Sequence, residues 1–292
     1  MNRSNRSNLL VLCSFVWVLS SSHLFAASWK VTYPKAAIDS DIMTNYPIEL
    51  LSLALEQTGV NYELHPSSNL LTKVKALNRL EDNREVNLVW AMTNKQREED
   101  LLAIRIPLFK GLIGWRLLMI RDDMSDRFRY IQSLEHLIKL SPIQGRDWPD
   151  TKILRSNGFD VVVNLGQDNL INMLATAQGD FYPRSLAEIW HELETLEGVE
   201  GLSVQPTLGI HYPSAVYFFV NQNNRPLAHL IEVGLEKAIK NGKFEALFQK
   251  TYQDYIERAK LRERTFYQLD NTFLPEQTPL QRKELWFQQA LQ

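Results

Sequence analysis

Between Trp29 and Met92 the apolar period switches repeatedly between two and 3.6, and that alternation limits the fold more than any other feature of the chain. Trp29 to Tyr33 reads as a short strand. A polar connection leads to a helix that carries Pro47 in its first turn, shows an apolar face through Ile48, Leu51 and Leu55, and stops at Gly59. Val60 to Leu64 reads as a second strand, and Leu70, Val74, Leu77 and Leu80 form the stripe of a helix from about Leu70 to Leu80. In the next strand Val86, Leu88, Trp90 and Met92 fall on one face, with Asn87, Val89 and Ala91 on the other. This β-α-β-α-β order predicts a parallel sheet with helices on its faces.

After a long strand at Leu112 to Ile120 a second unit begins. It contains a helix near Ser133 to Leu140, a loop Gln144 to Asp150, a helix near Thr151 to Asn157 and a strand Asp160 to Asn164. Asp168 is expected to cap a helix that ends at Gly179, and Ser185 with Glu188 makes a capping box for the next one. Ala215 to Val220 reads as a strand, followed by helices at Pro226 to Lys240 and Phe244 to about Arg258. Phe244, Leu247, Phe248, Tyr252 and Tyr255 recur at helical spacing and are assigned to the core. Residues 259–292 form a tail whose Phe273, Leu274, Trp286 and Phe287 suit packing on a lobe.

Residues 1–26 read as a secretory signal: Arg3 and Arg6 precede an apolar core at Leu9 to Leu19, and small residues lead to cleavage among Ala26, Ala27 and Ser28. The alternative is a retained anchor, but the apolar run is shorter than the roughly 20 residues a span needs. Cys13 is the only cysteine and lies inside that core, so the exported chain is expected to hold no disulfide, thiolate metal site or cysteine nucleophile. A periplasmic location follows. Losing Arg3 and Arg6 moves the net charge from -2 to about -4, and a surface of mixed sign argues against nucleic acid as a partner. His65, His136, His191, His211 and His229 show no metal-binding spacing, and no catalytic motif or cofactor signature occurs. No metal, cofactor or catalytic residue is expected.

The strand 86–92 ends at Thr93-Asn94 and is followed within a turn by Arg97, which places a guanidinium beside a strand's C-terminal end. In open α/β sheets small ligands bind in that crevice. A structural alternative is ion pairing of Arg97 with Glu98, Glu99 or Asp100. Trp90 and Tyr33 read equally as cleft walls or core anchors, Arg116 as a cleft residue or the exposed face of an edge strand, and Tyr182 and Arg184, on one loop, equally as cleft residues or part of a solvated loop.

The order of elements, together with Tyr33-Pro34, VNLVWAMTNKQREEDL, SLEHLIKLSPIQGRDWPD, NLINMLATAQGDFYPRS and NGKFEALFQKTYQDY, resembles the family 3 extracytoplasmic solute-binding proteins. The resemblance implies an α/β periplasmic binding protein type II fold, with two lobes that are each a mixed sheet flanked by helices. Lobe one would comprise residues 27–113 and 214–292 with the tail 259–292, lobe two residues 114–213, and the lobes would be joined by crossings near Lys110 to Trp115 and Gly209 to Ser214. It further implies that Arg97 pairs with a ligand carboxylate and Asp180 with its ammonium group, and that Tyr33, Trp90, Thr93, Arg146, Asp147, Tyr182 and Arg184 line the cleft. The sequence departs from the family pattern in the spacing of Thr93 and Arg97 and in Gly145-Arg146-Asp147, where the family has Gly-Thr-Thr. The implied ligand is therefore a small carboxylate-bearing or amino-acid-like compound, passed by a monomeric binding protein to the membrane permease of an ABC transporter. Alternatives are a partner of a membrane signalling receptor, or a dehydratase-type enzyme using Asp147 or Asp180 as general acid.

Overall fold

The computed structural model describes residues 28–35, 42–164, 167–195 and 199–288. The signal-like segment, with Cys13, Ala26 and Ala27, lies outside the described residues. Lobe one begins with β1 (Trp29–Lys35), α1 (Ile42–Thr58), β2 (Tyr62–Leu70), α2 (Lys73–Glu81), β3 (Val89–Met92), α3 (Lys95–Asp100) and β4 (Leu101–Ile104). A 3-10 turn at Leu112–Gly114 carries the chain into β5 (Trp115–Arg121), α4 (Ser125–Arg129), α5 (Leu134–Leu137), β6 (Ile143–Gly145), α6 (Pro149–Ser156), β7 (Val162–Asn164), α7 (Gln167–Ala175), β8 (Phe181–Ser185), α8 (Ile189–Glu194) and β9 (Leu202–His211). We refer to this run as lobe two and to the elements on either side of it as lobe one. The chain then returns to lobe one through β10 (Val216–Asn221), α9 (Arg225–Lys240) and α10 (Lys243–Ala259), and closes with β11 (Thr265–Gln268).

In lobe one β1 and β2 pair in parallel, and β10 lies between β3 and β4, antiparallel to both. Asn87 and Leu88 N–H donate to Thr32 O at 3.0 and 3.2 Å, which stitches the entry to β3 onto β1. Both faces of β3 are covered. Leu88 and Trp90 join the main core with Leu50, Leu51 and Phe218, while Val89 and Ala91 join a smaller cluster with Tyr217 and Phe219. Lobe two has the strand order β11-β9-β5-β8, extended by the parallel pair β6-β7 through a bridge between Pro142 and Phe181. The two crossings touch each other at Gly114, whose carbonyl accepts Tyr212 N–H at 3.2 Å. A Cβ there would stand 2.1 Å from Tyr212 O, so only glycine lets the crossings approach this closely.

Several boundaries differ from the sequence reading for local reasons. Helix α1 starts at Ile42, so Pro47 lies inside it rather than in its first turn. Thr72 caps α2 by accepting Lys75 N–H at 3.3 Å; Ala76 and Leu80 are its buried residues, and Leu70 and Val74 are exposed because Leu70 belongs to β2. Helix α7 already includes Gln167, which puts Asp168 within the helix and not at its cap. The expected loop at 181–185 is strand β8. The tail, expected to belong with lobe one, adds β11 to the lobe-two sheet in parallel with β9, with Thr265 opposite Leu208 and Gln268 opposite His211.

Candidate functional site

Strand ends from both lobes converge on the crossings. Met92, the last residue of β3, pairs with Val216 at the start of β10, and Thr93 N–H donates to Ala215 O at 2.8 Å. In lobe two Gly145 pairs with Asn164 at the ends of β6 and β7, and Ser185 at the end of β8 pairs with Arg116, next to the first crossing. These C-terminal edges, one on each side of the hinge, are where an α/β architecture holds ligands.

On the lobe-one edge the rings of Tyr33 and Trp90 lie 6.1 Å apart. Trp90 is buried and its Nε1 donates to Met43 O at 3.2 Å, while Lys73 Nζ donates to Trp90 O at 2.9 Å and stands 5.4 Å from the ring centroid. Trp90 is thus a core anchor whose neighbour Tyr33 stays half-buried. Thr93 is buried and donates its hydroxyl to Glu98 Oε1 at 2.5 Å. Asn94 caps α3 by accepting Arg97 N–H at 2.9 Å, which fixes where the Arg97 side chain starts.

The Arg97 side chain folds back so that Nη1 donates to Met92 O, the last carbonyl of β3. Among the described residues it makes no ion pair: Glu98, the nearest acid in sequence, is held by Arg105 at 2.7 Å. Burial without a compensating charge lowers the Arg97 guanidinium to about 10. A half-buried cation with N–H donors to spare and no carboxylate of its own is suited to an incoming anion.

The lobe-two edge is built differently. Arg116, from β5, donates through Nη2 to Asp150 Oδ1 and through Nη1 to Glu188 Oε1 at 3.3 Å. Arg184, from β8, reaches Glu188 Oε2 at 3.1 Å and donates through Nε to Glu192 Oε2 at 2.7 Å. Tyr212, on the second crossing, donates its hydroxyl to Asp150, and the Trp148 ring stacks on Tyr182 with Arg184 4.9 Å from its centroid. Burial pushes the Arg116 guanidinium down, but Asp150, Tyr212 and Glu188 outweigh it and hold it above its ordinary value. Burial likewise raises the Glu188 carboxyl, against the pull of Arg184. Arg116 Nε, Gln144 Oε1 and the Tyr182 hydroxyl are buried in or beside this network with no hydrogen-bond partner among the described residues.

Asp180 sits elsewhere. It precedes β8, so it lies at the N-terminal end of the strand whose C-terminal end carries Arg184, about 13 Å away at the rise of an extended chain. There Arg127 Nη1 donates to its Oδ1 at 3.0 Å and Ser141 N–H to its Oδ2 at 2.8 Å. The structure does not bring Asp180 to the edge that faces the hinge. Arg146 and Asp147 are exposed on the turn after β6, whereas Tyr182 and Arg184 are buried on β8 rather than carried on a loop.

Sequence reasoning missed Asp150, Glu192 and Tyr212, and of its two readings of Arg116 the exposed edge strand fails, because β5 is flanked by β9 and β8 and Arg116 is 2% exposed. Trp148-Pro149-Asp150 carried one signal, because Pro and Asp are favoured in a first helical turn. The Ser185-x-x-Glu188 pattern was another, but not as a helix box: Ser185 ends β8 and α8 starts only at Ile189, while Glu188 Oε1 accepts Ser185 N–H at 3.0 Å and the same carboxylate takes both arginines.

No protein-family model matches this sequence, and no curated protein matches it. Solved structures do. The probable amino-acid ABC transporter extracellular-binding protein ytmK from Bacillus subtilis superposes with a TM-score of 0.57 at 17% identity, over 78% of this chain and 99% of its own. A histidine kinase sensor domain with similarity to periplasmic binding proteins gives 0.55 at 17% identity, over 77% and 95%. The ancestral amino-acid-binding protein AncCDT-1, a precursor of cyclohexadienyl dehydratase, gives 0.55 at 13% identity, again over 77% and 95%. The fold of this chain is that of the two-lobed periplasmic binding proteins. Among the described residues no helix is long and apolar enough to cross a membrane.

Proposed function

We propose that this chain is an extracytoplasmic binding protein that takes a small carboxylate-bearing ligand between its lobes and delivers it to the permease of an ABC transporter. The observation that carries the reading is Arg97: a guanidinium at the C-terminal end of β3, half-buried and without an acid partner among the described residues. A bidentate ligand carboxylate would restore the counter-charge that burial leaves missing. On the opposite edge Arg146 and Asp147 are the exposed charges of the turn after β6, and we assign them the ligand's remaining polar groups. Tyr33 would flank the ligand from lobe one. Closure then engages both edges at once, so ligand favours the closed state.

A second reading, a ligand-sensing partner of a membrane receptor, draws on the likeness to a kinase sensor domain. Neighbouring genes for a permease and ATPase, or for a receptor, separate the two. The likeness to a dehydratase precursor keeps an enzyme in view. Of the two acids that an enzyme would use, Asp180 is at the far edge and held by Arg127, and we adopt binding without turnover.

The reading is tested by a thermal-shift panel of small carboxylic acids, each paired with its carboxamide. A true ligand at about 100 times its Kd stabilises the native form by about 2.7 kcal/mol. The expected result is a shift with an acid and none with its amide. Equal shifts from acid and amide would remove the carboxylate from the proposal.

A further inference from the structure

Residues 264–288 touch both lobes and both crossings. At the lobe-two end Arg264 Nη1 donates to Leu208 O at 3.3 Å, β11 pairs with β9, and Leu269 N–H donates to His211 O at 2.8 Å. Asp270 N–H donates to Asn157 Oδ1 at 3.0 Å, and Asn157 Nδ2 returns a bond to Asp270 O at 2.8 Å. Asn271 Nδ2 then donates to Pro213 O at 2.9 Å, on the second crossing. Two residues later the chain reaches lobe one, where Phe273 O accepts the N–H of Lys95, the first residue of the helix that carries Arg97.

The lobe-one end is anchored as firmly. Arg282 grips Glu236 of α9 with two parallel bonds, Nη2 to Oε2 at 2.9 Å among them, and Leu285 is buried in the main core. The Trp286 ring lies against Gly111, where a Cβ would stand 2.5 Å from it, and Gly111 has a φ of +72. Phe287 N–H donates to Lys110 O at 2.6 Å. Trp115, at the start of β5, collects both ends: Phe266 from β11 lies 4.9 Å away, Phe287 from the terminus 6.2 Å, and His211 of the other crossing 4.4 Å.

We propose that residues 265–288 are a strap, a third connection between the lobes that wraps the hinge and restrains its opening. A two-crossing hinge opens by rotating backbone dihedrals in the crossings alone. With the strap in place, the same rotation must also stretch a segment fixed at β11 on one lobe and at Arg282, Leu285 and Trp286 on the other. Pro275 and Pro279 stiffen the span between those anchors by fixing φ. Because the strap bonds to Lys95, its state is also felt at the helix that positions Arg97. This holds whatever the cleft binds.

The test severs the strap in the folded protein. In a Cys13→Ser background, Lys75→Cys on lobe one and Arg129→Cys on lobe two, both exposed, carry spin labels for pulsed distance measurement. A site-specific protease recognition sequence is inserted between the exposed Glu276 and Gln277. Cutting is expected to shift the label-to-label distribution to longer distance and broaden it, with the far-ultraviolet circular dichroism unchanged. The uncut double variant Arg282→Ala, Trp286→Ala is expected to move the distribution in the same direction, and it decides the matter if the cut protein loses structure. Identical distributions in the intact protein and in either folded test form would overturn the strap.

Discussion

The two edges that face the hinge use the same side chain to opposite ends. On lobe one Arg97 has given up water without gaining a carboxylate from the described residues, and its charged form is the less favoured for it. On lobe two Arg116 and Arg184 are more deeply buried, yet Asp150, Glu188 and Glu192 surround them and hold both in the charged form. Burial alone therefore does not mark a ligand residue. What distinguishes the edges is the counter-charge: among the described residues, carboxylates surround the lobe-two arginines, whereas Arg97 has none.

The sharpest way to break that comparison is to remove one partner of the lobe-two network. Arg116→Ala leaves Asp150 and Glu188 buried beside an empty space and is expected to destabilise folding by about 3 to 5 kcal/mol in chemical denaturation. A loss below about 1 kcal/mol would mean that the network is solvated and no different in kind from the lobe-one edge. Arg97→Ala, by contrast, removes a cation with no acid partner among the described residues, and folding stability should change by less than about 1 kcal/mol. Asp180→Asn weakens a pair with the half-exposed Arg127, so a change of about 0.5 kcal/mol is expected. Ligand affinity should not change in that variant, and a large loss of affinity would return Asp180 to the cleft.

The smallest effect concerns His211, which joins the second crossing to β11 through a bond of 2.7 Å between Nδ1 and Gln268 Oε1. Burial lowers its pKa from 6.5, with the Gln268 bond pulling the other way, so the folded state prefers the neutral ring. Its contribution is complete above the unfolded value of about 6.5 and is lost as pH falls through that value toward the folded one. Melting temperature should therefore decline across this window, and the decline should be smaller in His211→Gln. An equal decline in both proteins would place the titration elsewhere.

Much of the architecture was legible because periodicity reports burial. From Leu88 to Ala91 the alternation shows in two packed faces, whereas Val86, expected beside Leu88 and Trp90, packs with Val89; the β-α-β-α-β order is also present, but only β1 and β2 pair in parallel and β3 pairs antiparallel with β10. Strand β8 was not legible: Pro183 and Arg184 look like loop residues unless one knows that Glu188 and Glu192 lie within reach to neutralise the arginine. Strand β11 was hidden for another reason, since its partner β9 stands more than fifty residues away in sequence and neither pattern names the other. At the site, the position of Arg97 one turn past a strand end was legible because a strand end, a cap and a cation are contiguous in sequence. The signal for Asp180 misled because Gly-Asp looks the same at either end of a strand, and only the direction of β8 in its sheet tells the two apart.

The central claim is that Arg97 is the charge left for a ligand to complete. It is tested most directly by titrating a carboxylate found in the thermal-shift panel into the wild type and Arg97→Ala, with folding of both checked by circular dichroism. The account predicts saturable binding to the wild type and, in the variant, a loss of at least about tenfold in affinity, about 1.4 kcal/mol, as expected when a charge-assisted bond to a carboxylate is removed. Equal affinity in the two proteins would contradict it.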